Sequence, residues 1–167
     1  NFHPNPAFTV QRARLGTVAS IGKWGRAQVE VDFSREGAVP VDAFVVFTPF
    51  QSTLARLSLQ LGQFRVPFSR QNLLPSNSYQ LADTAYFVTP KFIVDRDIGA
   101  MITSDFFEGK ARLSLGVFNG NEPAKGQTLN ADPYFLYTVR AEVSPLGLPP
   151  RFEGDLLQLR LAGGQRV

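Results

Sequence analysis

Between Arg56 and Leu61 apolar and polar residues alternate without exception, with Leu57, Leu59 and Leu61 in one set and Arg56, Ser58 and Gln60 in the other. A period of two places the sets on opposite faces of an extended strand, whereas a helix would mix them around its circumference. The same pattern recurs along most of the chain. In Gly25–Ser34, Ala27, Val29, Val31 and Phe33 oppose Arg26, Gln28, Glu30 and Asp32. Phe8–Val18, Val41–Pro49, Arg96–Asp105, Lys110–Phe118, Pro133–Pro145 and Asp155–Ala162 complete eight predicted strands. After Gly62 the apolar residues change phase to Phe64, Val66 and Phe68, so a bulge or a strand end is expected at that glycine.

The connections alternate as well. The first, around Ile21–Lys23, the third, around Gln51–Thr53, and the fifth, Phe107–Lys110, are short, and Gly109 is the expected left-handed residue of the fifth. The second, through Gly37 and Pro40, is expected to be a longer loop, as are Val66–Asp95 and Asn119–Asp132, and a Pro/Gly-rich turn follows at Gly147–Pro150. Short turns at one end and long loops at the other are the habit of transmembrane barrels. The Val66–Asp95 connection exceeds the ~15 residues that a compact domain usually leaves without structure. Its Phe68, Tyr79, Tyr86, Phe87 and Phe92 would be costly to leave in water. Gln71–Lys91 is therefore expected to fold, with a short helix, inside or across the mouth of a barrel as a constriction. No helical period separates the strands, which argues against a βαβ arrangement.

Alternation alone is equally compatible with a soluble sandwich or small barrel. Three features point instead to a membrane barrel. Arg, Glu and Asp occupy strand centres on the polar faces, the apolar faces are aliphatic in mid-strand, and Trp24, Phe33, Phe47, Phe106, Phe107, Tyr134 and Phe135 gather near strand ends, where interfacial girdles form. The hydrophobic content, 44%, is dispersed in alternating positions, and no apolar run approaches the ~20 residues of a spanning helix. The basic residues are scattered singly and the net charge is only +3, which argues against nucleic-acid binding. With no cysteine and His3 as the one histidine, neither a thiolate metal site nor a histidine-based triad is available away from the N-terminal end. Glu30 and Asp32 share a strand face and read as part of a wet wall rather than as an acid–base pair or calcium site. The glycines form no phosphate-binding loop. No enzyme, cofactor or metal is indicated.

Several stretches taken together are similar to one family. RARLG at Arg12–Gly16, VDAFVVF at Val41–Phe47, GQFRVPFS at Gly62–Ser69, RDIGAM at Arg96–Met101, GVFNGN at Gly116–Asn121, VSPLG at Val143–Gly147 and EGD at Glu153–Asp155 occur in the order of the landmarks of the phosphate-selective porin O and P family, which the chain resembles. The resemblance implies an all-β, antiparallel up-and-down transmembrane β-barrel in the outer membrane of Gram-negative bacteria. About eight strands of a sixteen-stranded porin would be present, residues 1–167 forming one barrel domain that lacks strands at both ends. It implies passive diffusion of small solutes with a preference for anions such as phosphate, contact with outer-membrane lipid, and a homotrimer. The cations it implies along the aqueous path are Arg12, Arg14, Arg26, Arg56, Arg112, Arg140 and Arg160 on strands, with Arg65, Lys91 and Arg96 near the long loop. Each could instead brace the wall by pairing with Glu30, Asp32, Asp42 or Glu142. YFVTPKFI at Tyr86–Ile93 departs from the acidic–basic pair that family members usually carry in the long loop. The competing reading is a non-conducting barrel that serves as a scaffold or subunit of an envelope assembly.

Overall fold

A computed structural model of the chain describes residues 8, 10, 12–35, 37–73, 94–120 and 133–144. Seven strands, β1 (Arg14–Ile21), β2 (Gly25–Arg35), β3 (Gly37–Gln51), β4 (Ala55–Arg65), β5 (Arg96–Phe106), β6 (Ala111–Phe118) and β7 (Leu136–Val143), form one antiparallel sheet in chain order. Among the described residues the sheet does not close, since β1 and β7 each pair with one neighbour only. The eighth expected strand, Asp155–Ala162, lies outside the described residues. The one helix described, α1 (Arg70–Leu73), follows β4 in the long connection.

Register places the alternating sets as the sequence requires. Thr17 faces Val29, Val29 faces Ala43, Val45 faces Leu61, Leu59 faces Ile102, Ile102 faces Leu115, and Leu115 faces Val139. The result is an apolar face continuous across all seven strands. It is uncovered: Val45 is 50% exposed, Ile102 47% and Val139 75%. A soluble protein rarely exposes so large an apolar surface, whereas a barrel turns it to lipid.

Aromatic residues bound this face at both ends. Trp24 and Phe47 stack edge to face with ring centroids 5.5 Å apart near the short turns, where Phe50, Phe106 and Phe107 are also exposed. Phe33, Tyr134, Phe135 and Tyr137 are exposed toward the other end. Phe33 stands nine residues beyond Trp24 on β2 and its preceding turn. At ~3.3 Å per residue and a tilt of ~40° this is roughly 23 Å of height, close to the ~25 Å apolar band of an outer-membrane barrel.

Four local expectations need correction. The first strand starts at Arg14, not Phe8, and its turn is Gly22–Trp24. The second connection is not a loop: β2 ends at Arg35 and β3 begins at Gly37, with Arg35 opposite Gly37. Pro40 lies within β3, where a register shift between Glu30 and Val31 lets the ladder do without its missing N–H. Gln63 Nε2 donates to the carbonyls of Pro40 and Val41 at this irregularity, both at 3.0 Å.

Gly62 is neither a bulge nor a strand end. β4 and β5 stay in unbroken register from Ala55 opposite Phe106 to Arg65 opposite Arg96. The glycine is required by close approach instead. Its φ is 125°, and a Cβ there would lie 2.2 Å from the Ala43 carbonyl oxygen. In the fifth connection Gly109 is left-handed as expected, but Phe107 and Glu108 are too, at φ 53° and 60°.

Candidate functional site

The polar face is ordered by arginine–carboxylate contacts, some between neighbouring strands, one across an intervening strand and one along a single strand. Arg14 on β1 donates from Nη1 to Glu30 at 3.1 Å and from Nε to Asp32 at 3.0 Å on β2. Glu30 stands opposite Asp42 on β3, and Asp42 accepts from Arg96 Nε at 2.8 Å, while Arg96 Nη1 donates to Asp95 at 2.7 Å. Two adjacent carboxylates on facing strands would repel one another, and here a guanidinium flanks each side. Nearer the short turns, Arg112 donates to Asp105 on β5 at 2.5 Å, and Arg140 pairs with Glu142 along β7.

Two arginines differ from these. Arg26 donates to the Gln28 side-chain oxygen at 2.8 Å, and Arg56 stands opposite Asp105, whose carboxylate is taken by Arg112. Among the described residues neither forms an ion pair. Both lie at the short-turn end, next to Gly25 and Ala55 respectively. The named strand arginines are therefore matched in number by Glu30, Asp32, Asp42, Asp95, Asp105 and Glu142. The cationic surplus is one of place rather than of total.

Of the remaining expected cations, Arg12 is exposed just ahead of β1 and has a partner of its own. Arg65 faces Arg96 across β4 and β5 and donates to the Asn72 carbonyl at 2.7 Å. Lys91 and Arg160 lie outside the described residues, as do Tyr79, Tyr86 and Phe87 of the expected constriction.

Apolar residues on the polar face escaped the sequence reading. Phe44, Phe64 and Phe118 stack edge to face in a chain, at 6.0 and 5.3 Å between centroids, and Phe64 and Phe118 are buried. Val66 is buried with them, and Val94, Met101 and Leu136 pack around. The glycines supply the room. A Cβ on Gly99 would lie 2.5 Å from Phe118 Cδ1 and one on Gly116 2.5 Å from Phe118 Cε2, so the ring lies flat across two backbones. The signal was present in the phase change after Gly62, since Phe64 does turn to the polar side.

Asp97 completes this corner. It is 1% exposed and accepts from the backbone N–H of Ile98 at 2.8 Å and of Gly120 at 2.5 Å, fixing the start of the β6–β7 connection to β5. Beside the aromatic cluster a recess of about 370 Å³ is lined by Arg14, Glu30, Asp42, Phe44, Arg65 and Arg96, among others. Leu73 of α1 also borders it, so the beginning of the long connection lies over the polar face.

A polar face that carries partly buried arginine–carboxylate pairs, beside an apolar face that is aliphatic and exposed, suits a wall between water and lipid. Among the described residues no group of His, Cys, Asp and Glu is arranged to hold a metal ion. The family model described as phosphate-selective porin O and P matches residues 2–162. No curated protein and no solved structure matches the chain.

Proposed function

The chain belongs to the phosphate-selective porin O and P family, a family of outer-membrane β-barrel channels, and from that premise we propose that it forms part of a passive diffusion pore biased toward small anions. The polar face is the water-filled lumen, and Arg26 and Arg56 carry the bias. The observation behind this is the pairing pattern: Arg14, Arg96, Arg112 and Arg140 donate to carboxylates, while these two present guanidinium groups without an ionised partner among the described residues.

A cation on a narrow aqueous path with low-dielectric walls acts on a passing ion more strongly than the same charge on an open surface. Guanidinium also matches the planar, two-oxygen presentation of phosphate and carboxylate. Arg14 and Arg112 brace neighbouring strands, Arg96 on β5 reaches past β4 to Asp42 on β3, and their charge is largely met locally. The bias is therefore mild, favouring anions as a class rather than binding phosphate exclusively. Arg12, Arg65 and Lys91 belong to the same proposed set of lumen cations at the loop side.

Single-channel recording on the full-length protein in a planar bilayer tests the premise of conduction. Discrete conductance steps are expected. Their complete absence from folded, inserted protein would favour the non-conducting scaffold.

A further inference from the structure

Arg140 looks at first like one more lumen cation, but its contacts say otherwise. It lies on the polar face of β7 opposite Ser114 of β6, its side chain is only 16% exposed, and it pairs with Glu142. Its Nη1 also donates to the backbone carbonyl of Phe68, 72 residues away in sequence, at 3.2 Å. Phe68 lies just beyond β4, three strands from β7 in the sheet. Three strand spacings are about 14 Å. The contact forms because Val66–Leu73 leaves the sheet and passes over the polar faces of β5 and β6.

Other contacts agree with that path. Val66 is 1% exposed against Phe64 and Phe118, with Leu136 of β7 packed alongside. Val66, Pro67 and Phe68 share a second recess with Leu136 and Thr138. The segment is also braced internally. Asn72 is 4% exposed and donates from Nδ2 to the Val66 carbonyl at 2.9 Å, its backbone N–H meets Ser69 Oγ at 3.0 Å, and its own carbonyl accepts from Arg65. Arg65 thus holds the segment on the β4 side, and Arg140 holds it on the β7 side.

We propose that Arg140 is a positioning residue: its guanidinium fork, fixed by Glu142, holds Val66–Leu73 over the polar face, and the place of that segment sets the width of the aqueous path beside it. This rests on the porin reading above but assigns Arg140 a different task from Arg26 and Arg56. The fork matters because one group must satisfy a carboxylate and a carbonyl in different directions. A lysine would keep the charge and lose that geometry.

The test compares Arg140→Ala and Arg140→Lys in the full-length protein, with folding checked by the heat-dependent gel shift of an intact barrel. Both variants are expected to raise unitary conductance and open-state current noise, while Arg140→Lys leaves the zero-current potential in a salt gradient unchanged. Trypsin cleavage after Arg70, scored by mass, is expected to quicken in both. In the Asn72→Ala background, Arg140→Ala should change conductance less than it does alone, because the two act through one segment. Wild-type behaviour of Arg140→Lys, with a potential shift in Arg140→Ala, would overturn the proposal and make Arg140 a lumen charge. Unchanged cleavage and conductance in both variants would overturn it as well. If the unmodified protein does not conduct, the porin reading fails, while the cleavage assay still decides whether Arg140 holds the segment.

Discussion

The two faces of this sheet are made by the same strands and follow different rules. Across the apolar face the residues are interchangeable in kind: Val29, Ala43, Val45, Leu61, Ile102, Leu115 and Val139 are all aliphatic and, in a barrel wall, would meet one uniform solvent, the lipid chains. Across the polar face many positions have a partner of their own, such as Asp32 for Arg14, Asp42 for Arg96 or the two glycines under Phe118. A uniform solvent selects for composition, so single changes within the apolar class should matter little there. A composite surface selects for individual fits.

The sharpest way to break this comparison is at the aromatic corner. Phe64→Ala removes a buried ring between Phe44 and Phe118 and should cost about 3–5 kcal/mol, as ring deletions in tight cores do. Urea unfolding in detergent micelles or vesicles would measure it. A cost below that of Leu61→Ala, three residues earlier on the apolar face, would show that the corner is not a core.

On the apolar face the corresponding insult is a charge. Leu115→Arg should cost about 2–4 kcal/mol at mid-bilayer depth. The neighbouring Ser114→Arg sits on the other face and tests a different property, steric room at a buried position beside Thr103. If Leu115→Arg unfolds like the unmodified protein, that face does not meet lipid.

Glycines divide the polar face more finely. Gly99→Ala would drive a Cβ to 2.2 Å from the Val117 carbonyl and 2.9 Å from Phe118 Cα, backbone contacts that cannot swing aside, and should cost about 1–3 kcal/mol. Gly16→Ala, whose new Cβ meets nothing closer than 3.6 Å, should stay within about 0.5 kcal/mol. Equal effects at the two sites would remove the argument that Phe118 rests on glycine. The smallest expected effect is a gain. Glu108 holds φ 60° in the Phe107–Lys110 turn, and Glu108→Gly should stabilise by up to about 1 kcal/mol by relieving the left-handed backbone.

This contrast also explains what the sequence disclosed. The two-residue periodicity, the aromatic ends and the antiparallel order were legible because each depends on local alternation and on turns of a few residues. The continuity of β2 into β3 was not, because Gly37 and Pro40 read as loop residues until the register shift at Glu30 and the amide of Gln63 are seen to accommodate them. Gly62 misled for a similar reason: its φ answers the Ala43 carbonyl on another strand, a contact without a sequence signature. The site was legible by type and not by role. Arginines on the polar face were evident, but whether Arg112 meets Asp105 or leaves Arg56 to do so depends on a tertiary choice between equivalent neighbours. The aromatic corner joins GQFRVPFS, RDIGAM and GVFNGN, so the stretches that carried the family resemblance are those that fix the root of the long connection.

The anion bias proposed for Arg26 and Arg56, which form no ion pair among the described residues, is tested most directly by the zero-current potential of the full-length channel in a salt gradient. The unmodified channel should show mild anion preference. Arg26→Ala with Arg56→Ala should move the potential toward cation preference while unitary conductance changes little. Cation preference in the unmodified channel, or no shift on removing both arginines, would contradict the claim and leave these residues as parts of a neutral wall.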